Sequence, residues 1–173
     1  YLLQKALQRV FICQFPVSGK NIRISFGAEK HAAQSNIVQG GRIKYHRLGK
    51  AFRTGDFRYN VLYLVSSALT ADTEERLAYA RKCKAAFVWN QDGVGYPAWN
   101  PDGWREINRR MARFLHEADY VFYQSNFAKH CCDEFCCVRQ GPSEILYNSV
   151  DTGMFSPSES QNNKLDDPVI LVA

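Results

Sequence analysis

The segment "YNVLYLVSSAL" (59–69) constrains the fold more than any other. Its apolar residues follow one another almost without alternation. A strand with one face in water alternates with period two; a near-continuous apolar strand belongs in a parallel sheet covered on both faces. The segment therefore predicts a sheet with helices above and below it. The rest of the chain should supply those helices and the neighbouring strands.

It does so in alternation. "NIRISFG" alternates and ends in Gly27, a short strand. "RIKYHRLGKAFR" places Tyr45, Leu48 and Phe52 on one helical stripe. "TADTEERLAYARKCKA" puts acids early and bases late, in the order a helix dipole favours, with Leu77, Ala80 and Cys83 on one face. "AAFVWNQDG" is a strand with a polar tip. Asn100-Pro101 reads as an N-cap and first helical position, and Trp104, Ile107, Met111, Phe114, Leu115 and Ala118 line the helix that follows. "ADYVFYQS" is a strand, with Ser125 or Asn126 capping the next helix. "SEILYNSV" is the last clear strand. The order predicts an α/β domain, a Rossmann-like and mainly parallel sheet with helices on both faces.

A chain of 173 residues, 46% of them hydrophobic, suits one domain with a real core. Residues 1–20 read equally as strand or helix. Residues 21–155 form the α/β domain. In 156–173 the polar linker "SPSESQNNKLDD" leads to "PVILVA", the opening strand of a further domain. No apolar run reaches transmembrane length, and Lys5 and Arg9 interrupt the N-terminal segment, so it makes a poor secretory leader. A cytoplasmic location is the expectation.

Ligands of such sheets bind beyond the carboxyl ends of the strands. The strand exits to watch are Gly27 to Gly41, Ser66-Ser67, Asn90 to Gly93, Ser125, and Asn148 to Asp151. Gly40-Gly41 precede a helix, where small residues let backbone amides approach an anion; a plain tight turn explains them equally well. Asn90, Gln91 and Asp92 offer directional donors and acceptors suited to sugar hydroxyls. Tyr96 and Trp99 offer apolar faces, although covering the core or an inter-domain surface is the commoner use of such residues. The dinucleotide fingerprint, the P-loop and the serine-hydrolase elbow are all absent.

Of the six cysteines, four crowd into "CCDEFCC". At about 100° per residue only Cys132 and Cys136 share a helix face, so four thiolates from this helix do not converge on one zinc ion. Cys131 and some of its neighbours as small buried hydrophobes in a reducing cytosol are the simpler reading, and no metal is expected. Net charge is +5. Arg105, Arg109 and Arg113 share one helical face, which reads as a solvated face or as contact with an anionic membrane surface or a phosphate-bearing substrate. No nucleic-acid-binding motif appears, and no nucleic-acid partner is expected.

"SEILYNSVDTGMFSP" (143–157) resembles the segment of GT-B glycosyltransferases, family-4-like, in which Asn and Asp precede a Phe and a Pro. Gly40-Gly41 resemble the glycine-rich turn of their first βα unit. "ADYVFYQSNFAKHCCDEFC" is similar to their strand-Ser-helix step, and "PVILVA" to the first strand of their donor-binding domain. The resemblance covers residues 21 to 173. It implies the N-terminal, acceptor-side half of a two-domain enzyme that moves a sugar from a nucleotide-sugar to a saccharide or lipid-linked acceptor, with retention and without a metal or other cofactor. It implies donor or acceptor contacts at Gly40, Gly41, Asn90, Gln91, Asp92, Ser125, Asn148 and Asp151. Asn90 to Asp92 stand where many relatives place a histidine, and Ser149 replaces a commoner Gly or Pro. The catalytic residues are expected in the second domain, so this half alone should be a poor catalyst. The alternative is a stand-alone α/β module that binds a sugar or nucleotide without catalysis.

Overall fold

A computed structural model describes residues 22–27, 42–56, 58–148 and 153 of the chain. Six strands form one sheet: β1 (Arg23–Ser25), β2 (Arg53–Thr54), β3 (Val61–Val65), β4 (Ala86–Gln91), β5 (Tyr120–Tyr123) and β6 (Ser143–Ile145). Four α-helices accompany them: α1 (Arg42–Ala51), α2 (Thr73–Lys82), α3 (Trp104–Glu117) and α4 (Asn126–Phe135). The strand order is β2-β1-β3-β4-β5-β6, and every pairing is parallel. This is the α/β, Rossmann-like architecture that the apolar strands predict.

The two faces can be read from β3. Leu62 and Leu64 pack with Leu77 and Ala80 of α2 and with Met111, Phe114 and Leu115 of α3. Tyr63 and Val65 point the other way and pack with Tyr45 and Leu48 of α1. A single hand of crossover requires this split. The step from β1 to β2 runs one way along the sheet, whereas β3 to β6 run the other way. The reversal falls between β1 and β3, the kind of switch point where such sheets open a crevice.

The core is aromatic. Trp89 of β4 stacks on Phe114 of α3, with ring centroids 5.4 Å apart, and Phe87 meets both edge-on. On the other face Phe26, Tyr45 and Tyr63 form a triad. The Tyr45 hydroxyl reaches across to accept the Val65 backbone N–H at 3.0 Å, so α1 is pinned to the exit of β3.

Element boundaries depart from the sequence reading in two places. The stripe over 42–53 was expected to be helical throughout. Instead the helix ends at Ala51, Phe52 is 38% exposed, and Arg53–Thr54 add an edge strand to β1. That strand is exposed along its length, so no apolar pattern betrays it; pairing with β1 alone makes it a strand. Asn100-Pro101 do not open α3. Asn100 closes a turn by accepting the Gly103 N–H at 3.1 Å, and the helix begins at Trp104. Ser125 does cap α4, accepting the Ala128 N–H at 3.0 Å.

Candidate functional site

The carboxyl ends of β3, β4, β5 and β6 are tied together by side chains. Asp92, just past β4, is the hub. Its Oδ1 accepts the Ser66 hydroxyl at 2.5 Å and the Ser67 N–H at 3.1 Å, and its Oδ2 accepts the Ser67 hydroxyl at 2.6 Å. The Ser66 oxygen in turn accepts the Asp92 N–H at 3.1 Å. Beyond β5, the Gln124 amide donates to the Asp92 carbonyl. Gln124 Oε1 accepts the Asn148 amide at 3.0 Å, which carries the chain of bonds past β6. Parallel strands bring their exits to one edge of the sheet, and short polar side chains there brace one another.

Over this floor lies a cavity of about 740 Å³, within the range of small-molecule sites. Ser66, Ser67, Asp92, Gln124 and Asn148 line one part of it, and Lys44 and Ile43 from the first turn of α1 line another. Tyr96, Trp99, Val94 and Ile107 supply an apolar wall. Tyr96 is 45% exposed and Trp99 60% exposed, so neither ring is spent on the core. Arg110 of α3 also reaches the cavity, held by Glu74 at 2.9 Å and the Thr70 carbonyl at 2.7 Å.

The loop carrying Tyr96 and Trp99 is clamped from below. Asn108 of α3 accepts the Gly95 N–H, donates to the Gly95 carbonyl and donates to the Phe135 carbonyl, each at 2.8 Å. A side chain at position 95 would meet the backbone of Trp104 at 3.0 Å, so the loop seats directly on the start of α3. The apolar wall therefore stands on rigid secondary structure.

The sequence-predicted residues divide among four situations. Asp92 and Asn148 line the cavity. Asn90 and Gln91 are fully buried. Gln91 faces α3, where it accepts the Trp89 indole N–H at 2.7 Å and donates to the Gly93 carbonyl at 2.5 Å; its amide is used in shaping the strand exit. Asn90 faces α1 and accepts the Lys44 ammonium at 2.8 Å. Ser125 is occupied as the cap of α4. Gly40, Gly41 and Asp151 lie outside the described residues, as do 1–20 and the final strand "PVILVA".

Lys44, Gln124 and Arg110 are charged or amide-bearing cavity residues that sequence reasoning did not single out as site residues. Lys44 reads in the sequence as one more base on a basic helix. Only the fold shows that it turns inward at the helix start. Burial pulls its ammonium below the usual lysine value, and Asp92 partly opposes that. Arg105, Arg109 and Arg113 do share an exposed face of α3. Arg109 pairs with Glu106, Arg113 pairs with Glu117 at 3.0 Å, and Arg105 lies 4.4 Å over the Trp104 ring. Cys132, rather than Cys131, is the fully buried cysteine of this helix, Cys131 being only partly covered, and the Cys136 thiol donates to the Asn108 carbonyl at 3.3 Å. Contact with Cys132, reinforced by burial, pushes the Cys136 thiol up. Among the described residues no group of three His, Cys, Asp or Glu is placed to hold a metal ion.

No helix among the described residues is long and apolar enough to cross a membrane. Comparison with known proteins returns no matching family, no matching curated protein and no matching solved structure.

Proposed function

We propose that this chain is the acceptor-side domain of a glycosyltransferase that uses a nucleotide-sugar donor, and that the cavity at the carboxyl edge of the sheet seats a saccharide. The observation that carries the reading is the pairing of walls in that cavity. A sugar ring presents hydroxyls around its rim and C–H groups on its faces. Asp92, Gln124 and Asn148 provide the directional polar groups for the rim. Exposed Tyr96 and Trp99 provide flat apolar surface for the faces. The Asp92 and Gln124 side chains are already oriented by their own hydrogen bonds, so binding orders few of them further. The likeness of "SEILYNSVDTGMFSP" to GT-B enzymes supplies the reaction class: transfer of a sugar from a nucleotide-sugar, with retention, and with the second domain providing most donor contacts.

The test is titration of the protein with a panel of monosaccharides and nucleotide-sugars, followed by tryptophan fluorescence. A saccharide seated on Trp99 should change the emission. The Trp99→Ala variant should bind about tenfold more weakly, as expected when an aromatic platform of about 1–1.5 kcal/mol is lost. No response to any saccharide or nucleotide-sugar would refute the reading.

A further inference from the structure

The cavity is polar on one side only. Its hydrogen-bonding groups stand at the strand exits and on α1: Ser66, Ser67, Asp92, Gln124, Asn148 and Lys44. The part built on α3 and on the loops after β3 and β4 is different. There Leu69, Val94, Ile107 and Met111 line it. Met111 is a buried core residue, and Leu69, Val94 and Ile107 are half-buried against the same core, so this lining is anchored. Arg110 stands beside them on α3, but its Nε and Nη2 donors are spent on Glu74 and on the Thr70 carbonyl.

This division sets what can fill the cavity. A hexose carries hydroxyls around its whole rim. Hydroxyls pressed against the apolar part would give up water and find no partner in the protein, which is unfavourable for each of them. A single hexose is also smaller than the drug-sized ligands that cavities of about 740 Å³ hold. Apolar surface, by contrast, gains by leaving water there. Ile43 of α1 is exposed and borders the same cavity, as are Tyr96 and Trp99. Exposed apolar side chains gathered at one cavity are the mark of a ligand site.

We propose that the ligand of this cavity is amphipathic: a glycoside whose sugar rests on the polar strand exits and the Tyr96–Trp99 wall, and whose alkyl aglycone lies against Leu69, Val94, Ile107 and Met111. The inference rests on the saccharide reading for the sugar, while the apolar subsite stands on its lining alone. None of those four side chains is a flat ring. Branched chains and a flexible thioether follow the outline of a bending chain more closely than that of a planar one. The subsite sets specificity by adding affinity with each methylene it takes from water, and the strand exits orient the sugar.

Calorimetric titration of the protein with methyl, butyl, hexyl and octyl glucoside, phenyl glucoside and hexanol, all below micelle-forming concentrations, tests this. Affinity should rise about threefold for each methylene added from methyl to hexyl. Ile107→Asn and Val94→Thr should each make that rise shallower by placing a polar group in the lining. Val94→Thr keeps the shape of the side chain, so it remains a test if Ile107→Asn fails to fold. A rise that Val94→Thr and a folded Ile107→Asn both leave untouched overturns the placement of the subsite. Equal affinity from methyl to octyl glucoside overturns the proposal and leaves the saccharide reading standing. Phenyl glucoside binding more tightly than hexyl glucoside overturns the alkyl assignment. Hexanol binding as tightly as hexyl glucoside, with methyl glucoside silent, overturns the saccharide reading and with it the glycoside. Silence from every probe overturns both.

Discussion

Asn108 shows how one side chain holds a site together. It is 3% exposed and makes three hydrogen bonds, two of them to both backbone groups of Gly95. An Asn in a helix interior competes with the backbone for hydrogen bonds and weakens the helix; here its bonds go to a neighbouring loop and to the end of α4. Asn108→Ala leaves three backbone groups without partners in a buried place. Its expected cost is about 2–4 kcal/mol in urea denaturation. Saccharide affinity should fall as well, because the Tyr96–Trp99 wall loses its seat. A cost below about 0.5 kcal/mol would show that water replaces the amide. Nothing in the sequence marks this residue. It stands on the apolar side of an amphipathic helix, where a lone Asn is legible only as an irregularity.

At the scale of elements, α2 and α3 are joined by charge as well as by the core. Arg110 of α3 holds Glu74 in the first turn of α2. This pairing outweighs burial and keeps the Glu74 carboxyl below its ordinary range. Burial works to raise the neighbouring Asp72 carboxyl, but the Thr70 hydroxyl and Arg76 outweigh it and hold Asp72 low too. A carboxyl whose folded value is depressed contributes stability above its unfolded value and loses it as pH falls through the folded value. Stability should therefore decline as the pH drops below about 4, where carboxylates begin to protonate. Arg110→Met should cost about 0.5–1 kcal/mol at neutral pH, the range for a partly exposed pair. Its deficit should shrink under acid, once Glu74 is protonated with or without its partner. Urea midpoints of both proteins measured from pH 7 to pH 3 check this; a deficit independent of pH would place the effect in packing rather than charge. The early acids and late bases of α2 were legible in the sequence, because a helix dipole acts within one element. The partner on α3 was not, because it lies 36 residues away.

For the whole molecule, the sheet is continuous from β2 to β6 and the larger cluster of its core joins β3, β4, β5, α2, α3 and α4. Trp89 stands at its centre, fully buried, stacked on Phe114 and bonded to Gln91. Trp89→Ala should cost about 3–5 kcal/mol in chemical denaturation. It should also weaken saccharide binding, since Gln91 then loses the bond that orients it toward the Gly93 carbonyl. A variant that lost stability but kept full affinity would separate the core from the strand exit.

The sequence by itself determined the class of fold. Near-continuous apolar strands, a helical stripe between each pair and acids before bases are local signals, set by the period of each element and the charges at its ends. They placed strands β1 and β3 to β6 and every described helix within a few residues. They also pointed to the strand exits, since parallel strands must end together. Tertiary structure alone decided which exit residues face the cavity. Asn90, Gln91 and Asp92 are consecutive, yet the pleat sends Gln91 into α3 and Asn90 toward α1, and leaves Asp92 at the rim. It also decided that an edge strand forms at Arg53–Thr54 and that Lys44 turns inward beneath a cavity. A one-dimensional pattern records the spacing of residues along one element. The site is made where the ends of six elements meet, and which groups meet there is set by pairing order and crossover direction.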